Sequence, residues 1–106
     1  MIGYIHCDLK PDNVLIGSPD INSKNARTLY LIDFGVSKRY RNDNGSHIPF
    51  KTGLHFVGNL VFASANSHVG HELSRRDDME SLLYVLVYLA TGWLPWLNPN
   101  NASVVN

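Results

Sequence analysis

The stretch His6-Cys7-Asp8-Leu9-Lys10-Pro11-Asp12-Asn13, followed by Val14-Leu15-Ile16 and closed by Gly17, decides how the chain is read. Polar and charged side chains crowd together, and a short apolar run with the composition of a strand follows at once. Residues 17–28, which hold Gly, Ser, Pro, Asp and Asn, read as a loop. Leu29-Tyr30-Leu31-Ile32 is a second strand, ended by Asp33-Phe34-Gly35. Together they predict a β-hairpin with a long tip. In such a hairpin Asn13 precedes one strand and Asp33 follows its antiparallel partner, so both come to one edge.

That edge carries a definite chemistry. Phosphoryl transfer to a hydroxyl needs a carboxylate to orient the nucleophile and accept its proton, a cation near the transferred group, and ligands for magnesium. Asp8 has the properties of the base, Lys10 of the phosphate-facing cation, and Asn13 of a carbonyl ligand to the metal. Asp33 supplies a carboxylate suited to magnesium bridging phosphates. Asp-Phe-Gly alone is common and reads equally well as a strand-end turn. The eight-residue block followed across a hairpin by Leu31-Ile32-Asp33-Phe34-Gly35 is far more specific.

Further along, residues 36–72 lack clean periodicity and read as a long ordered loop with short helical pieces. A helix is predicted from Ser74, which is followed three residues later by Asp77 in a capping-box-like pattern. Asp77, Asp78 and Glu80 fall in or near its first turn, where the helix dipole favours negative charge. Residues 79–90 are apolar almost all round, and Gly92 stands where a C-terminal cap belongs. A helix apolar on every face calls for burial on every face, a large demand for so short a chain. Pro95 breaks the chain, and residues 98–106 read as a polar tail.

Composition narrows the class. The chain has 106 residues, 44% of them apolar, with nine basic residues balanced by nine acidic ones. Such balance gives no reason to expect a nucleic acid or an anionic membrane as partner. One cysteine, Cys7, excludes an intrachain disulfide and fits a reducing compartment. No signal-peptide pattern is visible, and the most apolar run, residues 82–90, is too short to span a bilayer. The expectation is an intracellular protein, cytoplasmic and/or nuclear.

The block H-x-D-L-K-P-D-N followed by D-F-G resembles the catalytic and magnesium loops of protein kinases. Lys10, two positions after the aspartate, is the serine/threonine form of that motif. His47-Ile48-Pro49-Phe50, Phe62-Ala63-Ser64-Ala65-Asn66-Ser67-His68, Ser74-Arg75-Arg76-Asp77-Asp78-Met79-Glu80-Ser81-Leu82 and Leu94-Pro95-Trp96 are similar to the casein kinase I family, with Ser64-Ala65-Asn66 in place of Ala-Pro-Glu. The resemblance implies transfer of the ATP γ-phosphoryl group to serine or threonine hydroxyls of protein substrates, with Mg2+ held by Asn13 and Asp33. Lys10 would contact ATP phosphate, and His6, Phe34 and Gly35 would support the geometry. It implies that Asp78 anchors the backbone around His6 and Cys7; the alternative is a helix-dipole carboxylate with no further task. The fold class expected is α+β, a partial kinase-like domain over residues 1–97, mainly helical, with a small β-hairpin.

Departures from the family are informative. Cys7 replaces the usual arginine, which implies no control by phosphorylation of the activation segment. Its thiol is read as an inert small hydrophobe rather than a reactive group. Asn59 stands where a threonine normally bonds the catalytic aspartate, and an amide is able to substitute in part. Leu54 and Val61 replace a lysine and an arginine of an anion site, which weakens the expected preference for acidic substrates. Lys38, Arg39 and Arg41 are read as a solvated charged surface. His68 and His71 form a His-x-x-His without the partners zinc requires. Within the 106 residues there is no G-x-G and no lysine before Lys10. The nucleotide cradle of an upper, N-terminal lobe would therefore be a missing partner. Two readings stay open: part of an active kinase, or a non-catalytic pseudokinase-like remnant acting as an interaction module.

Overall fold

The structure, a computed structural model, describes residues 3–97; the polar tail expected at 98–106 lies outside them. Four short strands and two helices follow in order: β1 (Tyr4–Ile5), β2 (Val14–Ile16), β3 (Leu29–Leu31), β4 (Lys38–Arg39), α1 (Ala65–His68) and α2 (Arg75–Thr91). Single 3-10 turns stand at Pro11–Asn13 and Lys24–Arg27.

The hairpin forms as expected. Val14 pairs with Leu31, Leu15 with Tyr30 and Ile16 with Leu29. The Gly17 amide closes the tip on the Thr28 carbonyl at 2.9 Å, and the Ile32 amide reaches the Asn13 carbonyl at 2.9 Å. A second, unanticipated pairing joins β1 to β4, Tyr4 opposite Arg39 and Ile5 opposite Lys38. Two-residue strands carry almost no sequence signal, and long-range packing defines them.

α2 starts where its cap predicts. The Asp77 carboxylate accepts the Ser74 backbone N–H at 2.8 Å, and Gly92 ends the helix at φ +73°, the left-handed conformation that glycine adopts without strain. The expectation of a mainly helical chain is not met. α2 is the one long helix among the described residues, and most of residues 36–64 run in turns and extended connections. Gly45, Gly53 and Gly58, all at positive φ, punctuate that stretch and deny it a helical run.

Two small apolar cores flank α2. Phe62, Val85, Leu94 and Leu97 form one, with Tyr84, Tyr88 and Trp96 packed against it. Ile5, Tyr40 and Leu73 form the other, edged by Cys7. The other side of the helix is open: Met79, Leu83, Leu86, Val87 and Leu89 are exposed, as an all-round apolar helix in a short chain must be. The radius of gyration is 15.6 Å, whereas a compact chain of this length would have roughly 13 Å. Lys38 is not simply solvated surface: it forms an ion pair with the buried Glu72 and ties β4 to the approach of α2. Arg39 does lie at the surface, paired with Asp43 at 2.7 Å, and Arg41 lies over the Tyr40 ring.

Leu94 is 1% exposed and Leu83 is 59% exposed. Leu94→Ala should therefore cost about 2–5 kcal/mol, measured as a fall in the urea midpoint. Leu83→Lys should leave the midpoint nearly unchanged and reduce binding of a hydrophobic dye.

Candidate active site

The site is built around one carboxylate. Asp78, in the first turn of α2, accepts the His6 N–H at 2.6 Å through Oδ2 and the Cys7 N–H at 3.0 Å through Oδ1. Cys7 sits at φ +71°, a conformation that costs a non-glycine residue on the order of 1 kcal/mol or more. Two charge-assisted hydrogen bonds offset that cost. Of the two readings of Asp78, the geometry matches the anchor.

His6 passes this order on. It is 4% exposed; Nε2 lies 2.8 Å from the Ile32 carbonyl oxygen and Nδ1 lies 3.1 Å from the Asp8 amide. The second contact makes Nδ1 an acceptor, so the proton resides on Nε2 and is donated to Ile32. The ring also meets Phe34 edge to face, centroids 4.9 Å apart. One imidazole thus joins Asp8 to the hairpin end that carries Asp33-Phe34-Gly35. Asp33 stands at φ +61°, and its Oδ1 accepts the Gly35 N–H at 3.3 Å. Cys7 and Asp33 are the only non-glycine residues at positive φ among those described, and strained backbone of this kind gathers at functional sites.

Asp8 is held from two directions. Its carbonyl accepts Asn13 Nδ2 at 2.9 Å, and its Oδ1 accepts Asn59 Nδ2 at 3.0 Å. Neither of these bonds uses Oδ2. Asn59 also donates to the Leu9 carbonyl at 3.3 Å and accepts the Phe62 N–H at 2.6 Å. An amide therefore occupies the place expected of a threonine and bonds on both sides. Gly58 makes the approach possible: at φ +96°, a Cβ there would lie 2.4 Å from the Cys7 carbonyl oxygen.

Asn13 is buried. Its Nδ2 is spent on the Asp8 carbonyl, which leaves Oδ1 as the atom that could serve a metal. It shares the hairpin edge with the exposed carboxylate of Asp33. Two hard oxygen donors in an open setting suit Mg2+, which keeps water and phosphate oxygens for the rest of its shell. Lys10 is half-buried at the head of the 3-10 turn Pro11–Asn13, on the same loop as Asp8.

Several contacts escaped the sequence reading. Beyond the capping and helix-dipole roles its position suggests, Asp77 accepts Ser64 Oγ at 2.8 Å and Asn66 Nδ2 at 3.2 Å through Oδ1. Glu80 accepts the Ala65 N–H at 2.9 Å, and Trp96 Nε1 donates to the Val61 carbonyl at 2.7 Å. The unusual Ser64-Ala65-Asn66 triplet was the available clue. His68 stacks on Phe56, and His71 meets Phe50 and approaches Asn66.

With this geometry in view, comparison with known families is direct. The family model for the protein kinase domain matches residues 2–106. The chain belongs to the protein kinase domain family, whose members in general use ATP and Mg2+ to phosphorylate protein substrates.

Asp78→Ala should strip the shared acceptor from two backbone amides and cost about 3 kcal/mol, read as a lower urea midpoint with accelerated hydrogen exchange at His6 and Cys7. Burial pushes the Cys7 thiol up to about 12, the Asp78 carboxylate adds to the shift and Lys38 opposes it. The folded chain thus holds the thiol proton more tightly than the unfolded chain does. This group's contribution to stability is complete below pH 9.0 and is lost as pH rises from there towards about 12. Iodoacetamide at pH 8 should modify Cys7 slowly in the folded chain and rapidly in denaturant, as followed by mass spectrometry.

Proposed function

We propose that this chain carries the catalytic and magnesium-binding portion of a serine/threonine protein kinase of casein kinase I type. The observation that supports the reading is that Asp8, restrained by Asn13 and Asn59, lies beside the hairpin end where the Ile32 amide, next to Asp33, bonds the Asn13 carbonyl. Lys10, two positions after Asp8, supports a serine or threonine hydroxyl as acceptor. The Ser64-Ala65-Asn66 and Leu94-Pro95-Trp96 motifs support the casein kinase I type.

In this reading the acceptor hydroxyl lies against Asp8 Oδ2, which takes its proton as the oxygen attacks the γ-phosphorus of ATP and ADP departs. The Lys10 ammonium stands near the transferred phosphoryl group. Asn13 and Asp33 would hold Mg2+, which neutralises phosphate charge when bound. His6 and Asp78 act through the backbone and keep Asp8 in register with Asp33. The described residues provide for the phosphate end of ATP. Binding and positioning supply much of the catalysis in phosphoryl transfer, so the 106-residue chain alone is expected to show no turnover. An upper lobe with a glycine-rich loop is the partner that would complete it. The lone free thiol and the use of ATP support an intracellular setting, cytoplasmic and/or nuclear. No described helix is long and apolar enough to cross a membrane.

Magnesium-dependent ATP binding, measured by calorimetry, should be detectable in the chain and lost in Asp33→Ala. No binding by a well-folded sample would instead favour a non-catalytic interaction module. Turnover by the chain alone, abolished by Asp8→Ala, would overturn the need for an upper lobe.

A further inference from the structure

We propose that Asp77 and Glu80 are positioning residues for the base, holding residues 59–66 so that Asn59 stays on Asp8. The proposal rests on the reading of Asp8 as the base. Residues three apart on a helix share a face, and the face that carries Asp77 and Glu80 receives donors from three consecutive residues: Ser64 Oγ and Asn66 Nδ2 on Asp77, and the Ala65 N–H on Glu80.

Capping does not account for this arrangement. The Ser74 amide, which closes the helix start, bonds to Asp77 Oδ2. Oδ1 serves Ser64 and Asn66 instead, and these contribute nothing to the cap. Asp77 is 3% exposed, and a carboxylate so buried is sustained only by such a set of donors. Glu80 is tied down in turn by the Tyr84 hydroxyl at 2.6 Å.

The other end of the segment rests on the catalytic loop. Gly58 packs against the Cys7 carbonyl, Asn59 bonds Asp8 and Leu9, and Asn59 Oδ1 grips the Phe62 N–H. Trp96 fixes the middle through Val61. The contacts close a ring: α2 holds the catalytic loop through Asp78, the catalytic loop meets Asn59, and the segment from Asn59 returns to α2 through Asp77 and Glu80. One helical turn thereby fixes Asp8 from both sides.

The test is a mutant cycle read by NMR on the full chain at neutral pH. The reporter is the Asn59 side-chain amide resonance, and the perturbation is Asp8→Ala. In the wild-type background Asp8→Ala should shift that resonance clearly. In the Asp77→Asn/Glu80→Gln background, and independently in Ser64→Ala/Asn66→Ala, the shift should fall to less than half. Exchange protection of the His6 and Cys7 amides should persist throughout. The second pair leaves the Asp77 bond to Ser74 in place, so it decides the matter if the first pair does not fold. The proposal is overturned if the wild-type chain shows no shift or if half or more survives in the Ser64/Asn66 pair. Loss of His6 and Cys7 protection in step with the shift also overturns it, because the role would then be general fold-keeping. The readout needs no nucleotide, so failure to bind ATP would count against the kinase reading and leave this result standing.

Discussion

Two amide hydrogens on consecutive residues aimed at the Asp78 carboxylate set the frame for everything else in this chain. Consecutive N–H groups in an extended strand point to opposite sides and do not converge on one acceptor. The left-handed turn at Cys7 makes them do so, and the charge on Asp78 makes that turn tolerable. With the peptide planes at His6 and Cys7 held, the imidazole lies between the two loops. From there it donates to Ile32, accepts from Asp8 and packs on Phe34. A carboxylate on a helix thereby sets the relative position of two loops that it does not itself belong to.

Apolar burial plays a different part. The buried hydrophobic residues fall into two groups, one on the Leu73 side of α2 and one around Val85 and Leu94. The first packs the approach to the helix at Leu73, and the second packs against its C-terminal half through Tyr84, Val85 and Tyr88. They do not specify the site, because apolar contact is non-directional. Direction comes from buried polar groups that have hydrogen-bond partners, and no buried side-chain nitrogen or oxygen among the described residues lacks one. Such networks favour a single arrangement over its neighbours. The exposed apolar faces of the hairpin and α2 show the converse: secondary structure persists there without the cover that its composition calls for.

Much of this was legible in the sequence because the decisive signals are local. The strand-loop-strand pattern fixed the hairpin and put Asn13 and Asp33 at one edge, and Ser74, Asp77 and Gly92 marked both ends of α2. The resemblance of Asp78 to an anchoring aspartate gave the long-range contact that spacing alone cannot supply. What stayed hidden was pairwise and distant. β1 and β4 are two residues each, and the Lys38–Glu72 pair joins residues with no shared motif. The second acceptor role of Asp77 depends on where residues 64–66 return to the helix. The aperiodic stretch 36–72 read as a loop with short helical pieces, of which Ala65–His68 is one; the expectation of a mainly helical chain came from the family resemblance and not from any periodicity in these residues.

The hairpin tip has a consequence of its own. Gly17 and Thr28 close it, and Gly17 must lack a side chain because a Cβ would fall 2.7 Å from the Asn25 carbonyl oxygen. Beyond that closure, Ser18, Asp20, Asn22, Ser23 and Asn25 bond among themselves. Register is thus decided before the tip begins, and the ten residues from 18 to 27 carry length without carrying alignment. Doubling such a loop adds only about 0.6 kcal/mol of closure entropy. The tip is therefore where this architecture is free to lengthen, shorten or acquire new sequence over evolutionary time while Asn13 and Asp33 keep their relation.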